Sequence, residues 1–116
     1  MSTPPLQEPT FLILTALAAG PLHGYGIIQE VSALSDGRVV LRPGTLYGAL
    51  DRLVDQGLTV ADREEVVDGR LRRYYRLTDE GASVLDAEAK RLTTNAEAAV
   101  SRLRRRARQR TRFAQS

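Results

Sequence analysis

The chain of 116 residues has no cysteine and no tryptophan, one histidine and a single lysine, Lys90. Without cysteine there are no disulfides, no thiol nucleophile and no cysteine-ligated zinc site. The absence also fits a reducing cytosol. The lone histidine, His23, has no second metal ligand of its kind nearby, so capping or turning a helix suits it better than holding a metal. Long apolar runs are missing too. The longest, Phe11 to Ala19, falls far short of the roughly 20 residues a membrane span needs. It also lacks a basic leader, which argues against a signal peptide. No nucleophile stands beside a base, no glycine-rich phosphate loop occurs, and Asp51 and Asp55 do not form an acid/base pair, so an enzyme is not expected. No cofactor is called for.

Charge is present but unevenly placed. The net charge is +3, yet seven arginines fall between Arg102 and Arg112, leaving −4 for residues 1–101. The pI of 9.8 therefore describes one end of the chain and is not by itself a basic DNA-binding face.

Residues 1–8 are polar and proline-rich and read as a loose arm. Pro9 suits the first turn of a helix running to about Ala19, apolar nearly all round and so buried on several sides. A second helix is expected from Gly24 to Leu34, with Tyr25, Ile28, Val31 and Leu34 on one face. Val39-Val40-Leu41 reads as a short strand. The central stretch is Arg42 to Leu58. Arg42-Pro43-Gly44 breaks what precedes it, Thr45 is read as N-cap, and Leu46, Leu50 and Leu53 form one helical face. Gly57 stands where a left-handed C-cap is wanted. The opposite face is short and polar: Thr45, Gly48, Asp51, Arg52 and Asp55.

After Gly57 the period changes to two. Leu58–Val66 and Leu71–Leu77 read as strands joined at Asp68-Gly69, with Leu58, Val60, Tyr75 and Leu77 facing inward. Arg70, Arg72, Arg73 and Arg76 make the hairpin basic. Thr78 is expected to cap a long helix. Its residues Leu85, Ala89, Leu92, Ala96, Ala99 and Leu103 alternate in steps of four and three, as in a coiled-coil seam, and a second copy is the economical cover. The fold class is mostly α with a small β-hairpin: a winged helix-turn-helix over 9–78, a dimerisation helix over 79–103 and a basic, frayed tail over 104–116. Three or four tail arginines can serve the helix dipole, and the others are free for nucleic acid or an acidic partner.

His23-Gly24-Tyr25, Gly44-Thr45-Leu46-Tyr47 with Leu50 and Leu53, Gly57-Leu58, and Arg73-Tyr74-Tyr75 with Leu77-Thr78 and Gly81 follow one another in an order that resembles the PadR family of bacterial transcriptional regulators. The short single C-terminal helix looks like the smaller PadR subfamily. The resemblance implies a homodimeric, cytoplasmic, nucleoid-associated repressor that binds double-stranded DNA at an imperfect palindrome and often acts near its own gene. It further implies release by a small hydrophobic or aromatic effector, here with Leu12, Ala89, Leu92 and Ala96 as the expected lining. Gly26 and Gly48 stand where the family commonly carries larger residues. Aromatics are absent from Gly81 to Arg112, so a flat effector sandwiched between indoles is not expected.

The expected DNA-contacting set is Tyr25, Arg42, Gly44, Thr45, Tyr47, Gly48, Arg52, Arg70 and Arg72, and no metal site is expected. Thr45, Gly48, Asp51 and Arg52 would give base specificity, and Arg42, Arg70 and Arg72 would give phosphate affinity. The competing reading is a winged-helix protein-interaction module without DNA binding, favoured by the acids on the third helix and the alanine-rich seam.

Overall fold

The computed structural model describes residues 5–114, so the expected arm over 1–8 and the last two residues of the tail lie partly or wholly outside it. The elements run α1 (Glu8–Ala18), β1 (Leu22–His23), α2 (Gly24–Leu34), α3 (Pro43–Asp55), β2 (Thr59–Val67), β3 (Arg70–Leu77) and α4 (Asp79–Ala114). The three strands form one antiparallel sheet in the order β1-β3-β2. This is a winged helix followed by one long helix. The chain divides into two compact units, residues 1–85 and 86–116, the second being the distal part of α4.

The core belongs to the first unit. Ile13, Leu14 and Leu17 of α1 meet Ile27 and Val31 of α2 and Leu46, Leu50 and Leu53 of α3, closed by Leu58 and Tyr75. Each fully buried leucine there contributes roughly 1.5–3 kcal/mol. The α3 stripe is the one the spacing predicts. The α2 stripe is not: Gly24, Ile27 and Val31 are buried, while Tyr25 is 65 % and Leu34 44 % exposed. Steps of three residues precess by about 60° on a helix, so Tyr25 and Leu34 lie on opposite sides of it.

The strands bring further corrections. The third strand of the sheet is Leu22–His23, paired with Tyr75 and Tyr74, and not Val39–Leu41. The Val39 amide instead donates to Ser35 Oγ at 2.9 Å, and Leu41 is buried in the core. On β2 Thr59, opposite Leu77, is the buried residue; Ala61, opposite Tyr75, shares its face of the sheet but is exposed, and Val60, half-buried, stands opposite Arg76. Thr59 is buried and its hydroxyl has no hydrogen-bond partner among the described residues. Between Ala61 and Glu64 the ladder carries a bulge, with Asp62 and Arg63 unmatched opposite Tyr74. Asp68 and Gly69 turn the hairpin with φ of 52° and 75°, the two positive values of a type I′ turn.

At the start of α3 the N-cap is Arg42, with Pro43 in the first turn, so Thr45 lies inside the helix instead of capping it. Proline fits that place because the first turn needs no amide and wants its fixed φ. The C-cap is as expected: Gly57 has φ of 76°, and the Leu58 amide reaches back to the Leu53 carbonyl at 2.9 Å.

Thr78 then joins three elements. Its hydroxyl donates to the Gly57 carbonyl at 2.7 Å and accepts from the Gly81 amide at 2.9 Å, so it is the N-cap of α4. Gly81 packs so closely on the residue before β2 and on the end of β3 that an added Cβ would overlap the Leu58 carbonyl oxygen and lie 2.8 Å from Leu77 Cδ1. α4 continues to Ala114, through the arginine run that its charge leaves frayed in the sequence reading. From Ala82 onward the chain has no glycine or proline and is rich in Ala and Arg, both good helix formers.

Two substitutions test this packing. Gly81→Ala should lower unfolding free energy by about 1–3 kcal/mol in urea denaturation, overpacking outweighing the helix-propensity gain of about 1 kcal/mol; a net gain would mean the approach is loose. Thr59→Val should be neutral or raise stability by about 1 kcal/mol, since it removes a buried, unmatched hydroxyl; a loss of that size would reveal a partner for Oγ1.

Candidate nucleic-acid interface

The core of α3 takes Leu46, Ala49, Leu50 and Leu53, leaving the opposite arc to other side chains. At about 100° per residue that arc holds Gly44, Tyr47, Gly48, Asp51 and Asp55. Thr45 and Arg52 lie on its flank beside Ala49. All are exposed except Gly48, which is partly covered. The Arg52 guanidinium lies back along the helix, 3.7 Å from where a Cβ at Gly48 would sit, and nothing else comes within 4 Å of that point. Gly48 therefore leaves the middle of the outward face low, and Arg52 is the cation nearest to it.

Tyr47 is held by α2. Its ring lies across Gly24 so closely that a Cβ there would overlap the hydroxyl and stand 2.9 Å from Cζ. The ring is thus wedged against the first residue of α2 while the residue stays 47 % exposed. His23 caps the same helix end, its Nδ1 accepting from the Gly26 amide at 3.1 Å. Tyr25, one residue further, is largely exposed. The start of α2 and the outward face of α3 therefore present two tyrosines on either side of Gly24.

The wing sorts its arginines into two kinds. Arg73 pairs with Glu64 at 3.0 Å, Arg76 with Asp62 at 3.4 Å, and Arg63 with Asp62 at 3.3 Å. Arg63 also lies over the Tyr74 ring, 4.0 Å from its centroid, and Tyr74 donates to Glu65 at 3.2 Å. His23 meets the same ring edge-on at 5.3 Å. Arg70 and Arg72 have no ion-pair partner among the described residues. Pairing spends the charge of the first group within the wing; the second group keeps its positive potential for something else.

This arrangement, an exposed helix face beside a wing with unpaired arginines, belongs to a known pattern. The model of the transcriptional regulator PadR-like family matches residues 13–87. The chain belongs to the PadR-like family. Among PadR-like relatives it is 41% identical over 80 residues to a transcriptional regulator of Mycobacterium tuberculosis, covering 69% of this chain and 71% of that one. It is 45% identical over 83 residues to an uncharacterized 37.1 kDa protein in a transposon of Streptomyces fradiae, covering 72% of this chain but only 22% of that protein's length. In fold it is similar to a PadR family transcription regulator from Clostridium difficile R20291, with a TM-score of 0.70 and 24% identity over 84% of this chain and 99% of the other. It is also similar to Bacillus subtilis PadR solved in complex with operator DNA, with a TM-score of 0.62 and 24% identity, over 70% of this chain and 46% of that one.

Two other features of this PadR-like chain bear on function. Within the first unit, Leu6, Thr10, Ala49, Arg52, Leu53 and Val84 are among the residues around an open hollow of about 450 Å³ that also meets Glu80 and Gln56. Its lining is not the Leu12, Ala89, Leu92 and Ala96 set that the sequence suggests. In α4, Leu85 and Ala89 are half-buried, while Leu92, Ala96, Ala99 and Leu103 are exposed, Leu103 at 63 %.

Sequence reasoning missed the links between elements. Gly24 was legible as part of a motif, but its role under Tyr47 needs two segments more than 20 residues apart. Likewise Tyr74 reads as a strand residue, and only the fold brings it against both His23 and Arg63. Gly24→Ala should dislodge Tyr47 and destabilise the protein by about 1–3 kcal/mol. Adding Tyr47→Ala should recover part of that loss in a double-mutant cycle; strictly additive effects would remove the contact.

Proposed function

We propose that the chain is a sequence-specific DNA-binding regulator acting as a homodimeric repressor, with α3 in the major groove and the wing on the flanking backbone. The observation that carries this is the pair of unpaired wing arginines, Arg70 and Arg72, beside an outward α3 face free of core duties. Cations left without acids suit phosphate, and a helix with a low, polar face suits the groove floor. Arg42 before α3 is a third phosphate contact. Thr45, Tyr47, Gly48 and Arg52 face the bases or their edge, with Gly44 and Tyr25 beside the backbone. That Bacillus subtilis PadR was solved with operator DNA supports the reading, as does the regulator of Mycobacterium tuberculosis.

The dimer rests on α4. Leu92, Ala96, Ala99 and Leu103 form an exposed, small-residue stripe, and alanines allow close approach of a second helix. Two copies would set two recognition helices about 10 bp apart on an imperfect palindrome. A small hydrophobic effector fits the hollow beside Ala49, Arg52 and Leu53, where it would press directly on α3. The place of action is the cytoplasm, at the nucleoid, and control of its own gene follows the family pattern.

Asp51 and Asp55 on the outward face of α3 favour a second reading, a protein-pairing module, because carboxylates repel phosphate. One experiment separates the two. Binding of the purified protein to its own upstream duplex is measured against a scrambled duplex across a salt series, with Arg70→Ala/Arg72→Ala alongside. A regulator prefers the native duplex, and the double variant loses affinity for both with a salt slope flatter by about 0.9 per phosphate contact removed. No binding by the parent, or an unaffected double variant, would leave the protein-pairing reading.

A further inference from the structure

The charge of the molecule is in the wrong place for a DNA-binding protein of this shape. Residues 1–85, the winged-helix unit, hold eight basic and eleven acidic residues, net −3. Residues 86–116 hold nine basic and three acidic residues, net +6. The unit that would carry the recognition helix therefore repels a polyanion at long range, and its attraction is confined to a few unpaired arginines. The positive charge is concentrated in seven arginines between Arg102 and Arg112, with no acidic residue after Glu97.

Those seven lie on helix and are fully available. α4 includes all of them, and every one is exposed. None has an ion-pair partner among the described residues, whereas Arg38, Arg63, Arg73, Arg76, Lys90 and Arg91 all do. Arg102 touches only the carbonyl of Ala98, at 3.3 Å. The helix dipole does not account for them. It acts within the last turn, and there α4 places Arg112 alone. Helical spacing arranges the rest: Arg102, Arg106 and Arg110 form one row and Arg104, Arg108 and Arg112 another. Beyond Leu103, the last position of the seam, Ala107 and Thr111 lie between the rows. Members of a row stand four residues apart, so each row is self-repelling until something anionic neutralises it. Two rows of guanidinium groups flanking a strip of small side chains match the two phosphate strands that border a DNA groove.

We propose that residues 102–112 of α4 are a second DNA-binding surface, which grips the phosphate backbone of duplex DNA without reading bases and supplies the long-range attraction that the winged-helix unit lacks. It rests on the regulator reading only in taking duplex DNA as the polyanion that the chain meets. The surface is specific to this chain's charge distribution: sequence preference would come from α3, and most of the salt-sensitive affinity from the end of α4.

The test uses the full chain with all seven arginines replaced by glutamine, which keeps helix propensity, and a second variant with all seven replaced by lysine, which keeps charge. Circular dichroism and thermal unfolding establish that both variants fold. Affinity is measured for the native upstream duplex, a scrambled duplex and an RNA duplex over a salt series. The glutamine variant should lose about tenfold or more in affinity for both DNA duplexes at low salt, its salt slope flattening by about 2.7 if three phosphate contacts go. The lysine variant should keep the parent's slope, and the native-to-scrambled ratio should not fall in either. An unchanged slope in the glutamine variant overturns the proposal, as does a loss confined to the native duplex or to RNA. The two readings fail separately. A parent that prefers its native duplex and a glutamine variant with the same slope would remove the tail and keep the regulator. A parent that binds both duplexes alike, with the slope still lost in the glutamine variant, would keep the tail and remove sequence specificity.

Discussion

One hydroxyl holds the architecture in register. Thr78 Oγ1 donates to the carbonyl of Gly57, where α3 ends, and accepts from the amide of Gly81, where α4 begins. The Thr78 amide adds a bond to Leu58 at 3.1 Å, where β2 is about to start. Two helix ends and a sheet corner, each with orphan polar groups of its own, satisfy one another at this point. The missing side chain at Gly81 lets the backbones close to that distance. Because α3 is fixed from its last turn, its outward face has a set orientation before any partner arrives. Gly24, under the Tyr47 ring, fixes the same helix near its first turn.

Much of this was legible in the chain. The α3 stripe, the Gly57 cap, the Asp68-Gly69 turn and the Thr78 cap are local, each decided by residues within seven positions of one another. The His23 cap on α2 was expected for the same reason. The misreadings share a physical origin as well. β1 has two residues, too few to show a period, and exists only because β3 offers it a partner. Val39 to Leu41 has the composition of a strand, but its backbone is taken by Ser35 and by the core. Thr45 is a good cap in isolation, and Pro43 overrides it by starting the helix earlier. At the candidate interface, the residue types on the outward face were readable. Which wing arginines remain unpaired was not, since that depends on Asp62 and Glu64 across the ladder.

The electrostatic pattern divides labour along the chain. Acids in the wing neutralise the arginines nearest the body of the domain and spare the two nearest the tip. On the proposed reading, short-range recognition can be exacting, because few charges would contribute to it and Asp51 and Asp55 would repel misplaced phosphates. Such a unit would associate slowly with a polyanion by itself, since steering grows with the net field and not with a few local contacts. If both proposals hold, affinity and discrimination are separable properties of different segments.

The bulge at Asp62 and Arg63 has a consequence for length. Up to Ala61 the odd-numbered residues of β2 share the sheet face of Tyr75, and from Glu64 onward the even-numbered ones do, because two residues there occupy the space of one opposite Tyr74. Deleting one of the pair would leave the parity of everything beyond it intact: Glu64 would still face Arg73, and Val66 would still face Leu71. A deletion beyond the bulge would instead reverse the faces of the β2 residues between it and the turn. This hairpin therefore has one place at which it can shorten by a single residue and keep its faces, and the loss there would be the Arg63–Asp62 pair together with either the Arg63 stack on Tyr74 or the Asp62 pairing with Arg76.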